Sequence, residues 1–269
     1  MKNIQALISS KARKKVLGKI QVLILAAGKG TRLNAKNIPK VLYPISDKPI
    51  LSYCLENLQK TGFKKPIVVI GFKGNLIEEK FGDRATYVWQ KKQLGTGHAV
   101  MVAKKSLKDY ENVLILLGDM PFWKPETLQK IIDLHQKSGA TLSLISVIFE
   151  DPMFLQYGRI VRDKNNHLVK ILEQKEATEK EKKIKECNPS CYVVRTDWLF
   201  KNLPKISAKG GSASGGKKSS GEYYLTDILE LAISQKEKIS ILPIKDWQQA
   251  IGINTKEHLD LAEKLLKSK

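Results

Sequence analysis

Glycine and fixed positive charge fall together in Leu25-Ala26-Ala27-Gly28-Lys29-Gly30-Thr31-Arg32, which ends an apolar run, with Pro39-Lys40-Val41-Leu42 shortly after it. Small residues let backbone come close to a ligand and aim N–H groups at phosphate oxygens. Arg32 and Lys40 add cations where a bound polyphosphate would lie. The usual glycine motifs do not fit. A dinucleotide fingerprint needs Gly where Leu33 stands, and a Walker A motif needs Gly-Lys-Ser/Thr after four residues. Gly211 to Lys217 nearly matches the latter, but Lys218 replaces the hydroxyl residue and no strand precedes it. Taken alone, Gly28 and Gly30 are equally an ordinary strand-to-loop turn.

Two further stretches carry chemistry. In Gln90-Lys91-Lys92-Gln93-Leu94-Gly95-Thr96-Gly97-His98-Ala99 the glycines again admit close approach, and Gln side chains both donate and accept, which suits the edge of a nucleobase. In Leu117-Gly118-Asp119-Met120-Pro121 a carboxylate stands at the end of an apolar run. A hard oxygen ligand there suits Mg²⁺ shared with substrate phosphates. Asp119 alone could equally cap a helix before Pro121. The four histidines (His98, His135, His167, His258) lie far apart without metal-ligand spacing, so surface or supporting roles are expected.

These residues need elements to hold them. Strands are expected at Val22–Leu25, Ile67–Ile70, Ala85–Trp89, Val113–Leu117 and Leu142–Ile148. Helices are expected at Pro49–Lys60, Leu76–Phe81, Ala99–Lys105 and Pro125–Lys137. This alternation implies an α/β fold, Rossmann-like, with a mostly parallel central sheet covered by helices on both faces. Its strands would deliver the glycine-rich stretch and Asp119 to the edge where such sheets bind ligands. After Asp151 the pattern changes. Arg159–Val161 and Leu168–Leu172 flank a turn cluster and read as an antiparallel hairpin, a smaller subregion. Ala177–Ile184 reads as a charged helix, Tyr192–Val194 and Ile239–Leu242 as strands, and Leu225–Ile233 and Lys256–Leu266 as helices. Residues 1–20 read as a basic extension, 21–269 as one domain, and 209–221, rich in Gly, Ser and Lys, as a flexible loop.

Composition bounds the alternatives. A chain of 269 residues with 42% apolar content is globular rather than disordered. No run approaches the roughly 18 apolar residues of a membrane span, and no export signal follows the basic start. Three cysteines give no disulfide framework; were Cys187 and Cys191 on one strand, about 13 Å would separate them. A cytoplasmic protein is expected. The net charge of +20 raises nucleic-acid or membrane-surface binding through Met1–Lys19 and Lys209–Lys218 as a rival class. Against it, only six of the 47 basic residues are Arg, and acidic residues intersperse the lysines.

The three motifs, in this order and spacing, resemble the N-terminal uridylyltransferase domain of the bifunctional N-acetylglucosamine-1-phosphate uridylyltransferase/glucosamine-1-phosphate acetyltransferase, within the sugar nucleotidyltransferases. The resemblance runs from about Gln21 to the C-terminal helix. It extends to Tyr157-Gly158-Arg159-Ile160, Glu173 to Thr178, Asn188, Gly221-Glu222-Tyr223-Tyr224-Leu225-Thr226-Asp227 and Gly252-Ile253-Asn254. It implies that Leu25, Ala26, Ala27, Gly28, Gln90, Gly95, Thr96 and Gly118 hold the nucleotide. Arg32, Lys40 and Asp119 would serve catalysis, Asp119 and Asn254 would bind Mg²⁺, and Gly158, Glu173, Asn188, Tyr224 and Thr226 would line a sugar site. The implied substrates are UTP and a sugar 1-phosphate, N-acetylglucosamine 1-phosphate above all. Another acceptor or another base remains open, because Pro189-Ser190 stands where the family usually has Thr or Ser and then Gly, and Leu117 replaces a frequent Tyr. The resemblance does not extend to the family's acetyltransferase half. A monofunctional chain without that half's trimer contacts is therefore expected, and a monomer fits.

Overall fold

The computed structural model describes residues 17–33, 37–155, 157–174, 177–206 and 221–268. Most of the basic extension and of the Gly/Ser/Lys-rich stretch therefore lies outside the described residues, as do Lys175 and Glu176.

The chain begins with β1 (Ile20–Leu25), whose side chains alternate between two separate apolar cores. Val22 and Ile24 enter one core, and Leu23 and Leu25 the other. A strand buried on both faces reads as a continuous apolar run, which is why the sequence signals it so clearly. After the short hairpin of β2 (Pro44–Ile45) and β3 (Lys48–Pro49), α1 (Ile50–Thr61) lays Ile50, Leu51, Cys54, Leu55 and Leu58 against the first core. It ends at Gly62, whose φ of 106° is a left-handed turn that favours glycine. Then come β4 (Ile67–Ile70), α2 (Gly74–Phe81), β5 (Thr86–Trp89), α3 (Gly95–Val102), α4 (Lys104–Leu107), β6 (Asn112–Leu117), α5 (Pro125–Ser138) and β7 (Leu142–Ile148). The second half holds β8 (Gly158–Arg162), β9 (Leu168–Leu172), β10 (Glu186–Asn188), β11 (Tyr192–Arg195), α6 (Thr196–Asn202), α7 (Asp227–Ser234), β12 (Ile239–Ile244) and α8 (Lys256–Lys267).

The main sheet runs β5-β4-β1-β6-β11-β7-β10-β8-β9, with β12 also on β7. Its core strands β5, β4, β1 and β6 are parallel, as is β12 with β7. β11 enters antiparallel between β6 and β7, and β8, β9 and β10 extend the same sheet antiparallel. Residues of α1, α2, α5 and α8 pack in the first core and residues of α3, α4, α6 and α7 in the second, so helices cover both faces. Among the described residues no helix is long and apolar enough to cross a membrane.

One expectation fails. Ala177–Ile184 forms only a single 3-10 turn at Glu181–Lys183, closed by Glu181 on the Thr178 hydroxyl. Its charged side chains offer no apolar stripe to bury, and one turn without packing does not propagate. Cys187 and Cys191 do not share a strand. Cys187 lies in β10, Cys191 precedes β11, and both are buried free thiols. Between them Pro189 lacks an N–H and Ser190 adopts φ 61°, which breaks the strand. The pattern also passes over α6, whose consecutive Trp198, Leu199 and Phe200 give no helical period by themselves.

Candidate active site

β1 and β6 lie side by side in parallel with Leu25 opposite Leu117, so the segments leaving both strands emerge at one sheet edge. Gly118 donates its N–H to Leu25 O at 2.9 Å, and a Cβ on Gly118 would sit 3.2 Å from Ala26 Cβ. A side chain there would press the two loops apart by a few tenths of an ångström. Beyond Gly118, Asp119 faces a cavity of about 560 Å³. The same cavity is lined by Leu25, Ala26, Ala27 and Gly28, by Arg32 and Lys40, by Gln90, Gly95 and Thr96, and by Tyr224.

A polar cluster crosses the floor. Lys40 Nζ donates to Asp119 Oδ2 and to Asn254 Oδ1, the latter at 2.9 Å, and Arg32 Nη2 donates to the same Asn254 oxygen at 3.1 Å. Asn254 is brought there by the Asp119 carbonyl, which accepts from Ile253 N–H at 2.9 Å. His258, in the first turn of α8, supports it from behind. Its Nδ1 accepts from Asn254 N–H, so its Nε2 carries the proton and donates to Phe154 O, both at 3.3 Å. Tyr157 donates its hydroxyl to Ala250 O at 2.8 Å, and a Cβ on Gly252 would lie 2.7 Å from that hydroxyl. Burial, then the nearby Asp119 carboxylate, pushes the Tyr157 phenol up from its ordinary value, so it stays a neutral donor.

The buried Gln90 is fixed in orientation. Its Nε2 donates to Gly95 O at 3.0 Å and to His98 Nδ1 at 2.9 Å, leaving Oε1 without a partner among the described residues. Burial lowers the His98 pKa, which keeps Nδ1 free to accept. The loop at 94–97 docks on the segment after residue 220. Tyr223 N–H donates to Leu94 O (2.8 Å), Gly97 N–H to Tyr223 O (2.7 Å), and Leu225 N–H to Thr96 Oγ1 (2.9 Å). Gly95 has φ 92°, and a Cβ there would lie 2.5 Å from Tyr223 O.

The remaining expected sugar residues do not line this cavity. Gly158 pairs with Asn188 across β8 and β10, and a Cβ on Gly158 would come within 3.7 Å of Glu173 Oε1, just past the end of β9, so these three are neighbours at the antiparallel strands. Asn188 is occupied locally: its Nδ2 donates to Tyr192 Oη at 2.6 Å and its Oδ1 accepts from Ser190 N–H at 3.1 Å. Thr226 Oγ1 is buried without a partner among the described residues, and Gly118 packs against Ala26 and is not among the residues lining the cavity. The residue-by-residue roles missed Gln93 and Glu222, which do line the cavity. Glu222 accepts from the Tyr224 hydroxyl at 3.0 Å, and both missed residues stand inside motifs that were legible.

The donor set fits a hard divalent cation. Among the described residues Asp119 Oδ1 is buried with no partner, Asn254 supplies an amide oxygen that accepts from Lys40 and Arg32, and no group of three His, Cys, Asp or Glu ligands occurs. Two hard oxygens beside the cavity of about 560 Å³ suit a divalent cation that keeps waters and substrate phosphates as its other ligands.

A parallel-core α/β sheet with a glycine-rich loop and cations at its carboxyl edge defines a nucleotide-handling domain, and the chain belongs to the MobA-like NTP transferase domain family, matched over residues 22–183. More particularly, it is 40% identical over 245 residues to the bifunctional protein GlmU of Caldanaerobacter subterraneus subsp. tengcongensis, covering 91% of this chain and 51% of that protein. The GlmU of Desulfotalea psychrophila is 36% identical over 250 residues, covering 92% and 70%. The chain thus spans about half the length of the first of these relatives. Among solved structures, a Bacillus anthracis protein assigned as a glucose-1-phosphate thymidylyltransferase, in complex with sucrose, superposes with a TM-score of 0.73 at 19% identity, over 93% of this chain and 96% of that one. A UDP-glucose pyrophosphorylase complexed with UDP-glucose gives 0.72 at 20% identity, over 92% and 98%. At that identity the likeness establishes the fold.

Proposed function

We propose that this chain transfers UMP from UTP to N-acetylglucosamine 1-phosphate, giving UDP-N-acetylglucosamine and pyrophosphate. The observation that carries the reading is the meeting of Arg32, Lys40, Asp119 and Asn254 beneath the glycine-rich loop, in a chain 40% identical to a GlmU.

The acceptor needs no general base. Its phosphate is already largely ionised at neutral pH because the second pKa lies near about 6. The chemical problem is to bring two polyanions together in line and offset their repulsion. In this reading the Ala26-Ala27-Gly28 backbone cradles the nucleotide, and Arg32 and Lys40 neutralise the triphosphate. Asp119 and Asn254 would hold Mg²⁺, which when bound supplies charge neutralisation at the reacting phosphates. Lys40, which bonds to both of these residues, is within reach of either the carboxylate or the phosphates. Gln90 supports uracil: its free Oε1 accepts from a base N3–H, which uracil has and cytosine lacks.

Of the residues expected to meet the acceptor, Tyr224 lines the cavity, and Gly158, Glu173, Asn188 and Thr226 stand outside its lining. The test is pyrophosphate release across four nucleoside triphosphates and several sugar 1-phosphates. Highest kcat/KM with UTP and N-acetylglucosamine 1-phosphate is expected. A preference for another pair would reassign the substrate, and no release with any pair would overturn the reading.

A further inference from the structure

A second, larger cavity of about 1000 Å³ lies at the opposite edge of the sheet, where β1, β6 and β7 begin and β11 ends. Nothing in the proposed reaction uses it. Its walls come from strand ends and from α4, α5 and α6, and they are strongly basic.

Two of its cations are spoken for. Lys19 pairs with Glu111 at 2.5 Å and Arg195 with Asp197 at 2.6 Å. Lys104, Lys108 and Lys201 line the same cavity and have no carboxylate partner among the described residues. The Lys104 ammonium sits 6.0 Å from the centre of the buried Phe200 ring, which holds it in place.

A buried relay adds a directed donor. His135 is 3% exposed; its Nδ1 lies 2.9 Å from Ser143 Oγ and its Nε2 3.0 Å from Asn112 Oδ1. Burial, then the charge of Arg195, pushes its pKa down to about 4, so the ring is neutral. A neutral ring whose Nε2–H meets Asn112 Oδ1 fixes the amide, and the Asn112 Nδ2 hydrogens keep no partner among the described residues. Asn112 lines the cavity. Thr196, another wall residue, is 5% exposed and its buried hydroxyl also lacks a partner.

Scattered lysines are ordinary on a chain of net charge +20. This group differs in being concave, in leaving three ammonium groups unneutralised, and in sharing the wall with an amide oriented from behind. Its one arginine is engaged by Asp197, and several elements build a trough rather than a flat stripe along one face. That favours a compact polyanion over a nucleic-acid backbone. We infer that this cavity is a binding site for a phosphorylated small molecule, separate from the candidate active site.

The test uses the full chain carrying Lys40→Ala, so that the candidate active site does not dominate, in magnesium-free buffer. Calorimetric titration with inorganic pyrophosphate, a nucleoside diphosphate and a sugar phosphate is expected to show binding. Adding Asn112→Asp, or Lys104→Glu with Lys201→Glu, is expected to weaken it by roughly tenfold or more. Unchanged circular dichroism and thermal midpoint verify the fold of each variant, and the two routes guard against one failing to fold. Tighter binding of the nucleoside diphosphate than of pyrophosphate would add a base subsite, and equal binding would place recognition in the phosphates. Both support the site. Absence of binding in the Lys40→Ala chain, or binding unaffected by either set of changes, overturns it. Tighter binding of a short single-stranded RNA than of all three small probes, lost in the same variants, overturns it in favour of a nucleic-acid surface.

Discussion

Asp119 has one oxygen on Lys40 and the other buried without a partner among the described residues. Replacing it with Ala removes the carboxylate proposed to hold the metal and leaves Lys40 on Asn254 alone. We expect Asp119→Ala to lower kcat by about 10³-fold or more, since several kcal/mol of charge neutralisation are lost, with unchanged circular dichroism. A near-normal kcat at saturating Mg²⁺ would remove Asp119 from the chemistry. Gln90→Ala deletes the oriented acceptor and leaves His98 Nδ1 and Gly95 O without their donor. Its KM for UTP should rise, and the UTP/CTP ratio of kcat/KM should fall by about tenfold or more. An unchanged ratio would move base recognition elsewhere. The residue types in both cases were legible because they stand inside motifs whose order and spacing, taken together, go beyond an ordinary turn or cap. The partners were not. Asn254 stands more than 200 residues from Arg32 and Lys40 and meets them only at the sheet edge.

Among elements, the 94–97 loop and the 223–225 segment form one docked unit at the mouth of the cavity. Gly95 is its tightest point, because an added Cβ meets Tyr223 O in a backbone conformation that L side chains rarely adopt. Gly95→Ala should cost about 2–4 kcal/mol of stability and raise KM for UTP. Chemical denaturation beside steady-state kinetics measures both. Wild-type stability in this variant would show that the loop is not docked in solution. Doubly buried strands such as Ile67–Ile70 were readable to the residue, because continuous apolar runs bounded by turns have few alternatives. The charged 177–184 segment misled because helix-forming composition says nothing about having a surface to pack on. Between β10 and β11, Ser190 in a left-handed conformation separates the two strands.

For the whole molecule, acid should loosen the packing around His135, which joins α5 to β6 and β7. Its folded pKa of about 4 lies below the ordinary 6.5, so the unfolded chain binds the proton more readily between those values. Stability is therefore fully present above pH 6.5 and falls as pH drops toward 4. Denaturation curves of wild type and His135→Asn across that window should show the shallower pH slope in the variant, by up to about 1.4 kcal/mol per pH unit. Titrating carboxylates act in both chains and cancel in the comparison. Equal slopes would mean that His135 does not carry the effect.

The sequence by itself determined the α/β alternation and the glycine-rich loop, and it brought forward the side chains proposed to meet phosphate, base and metal, because these rest on short-range periodicity or on local motifs. Only the tertiary structure decided that β11 enters antiparallel between β6 and β7, and that Asn254 reaches Lys40 and Arg32. It alone also set Gly158, Glu173 and Asn188 apart from the nucleotide cavity and built a basic trough at the opposite edge. Strand order and side-chain convergence follow from how distant segments share two apolar cores, and local sequence does not specify that sharing.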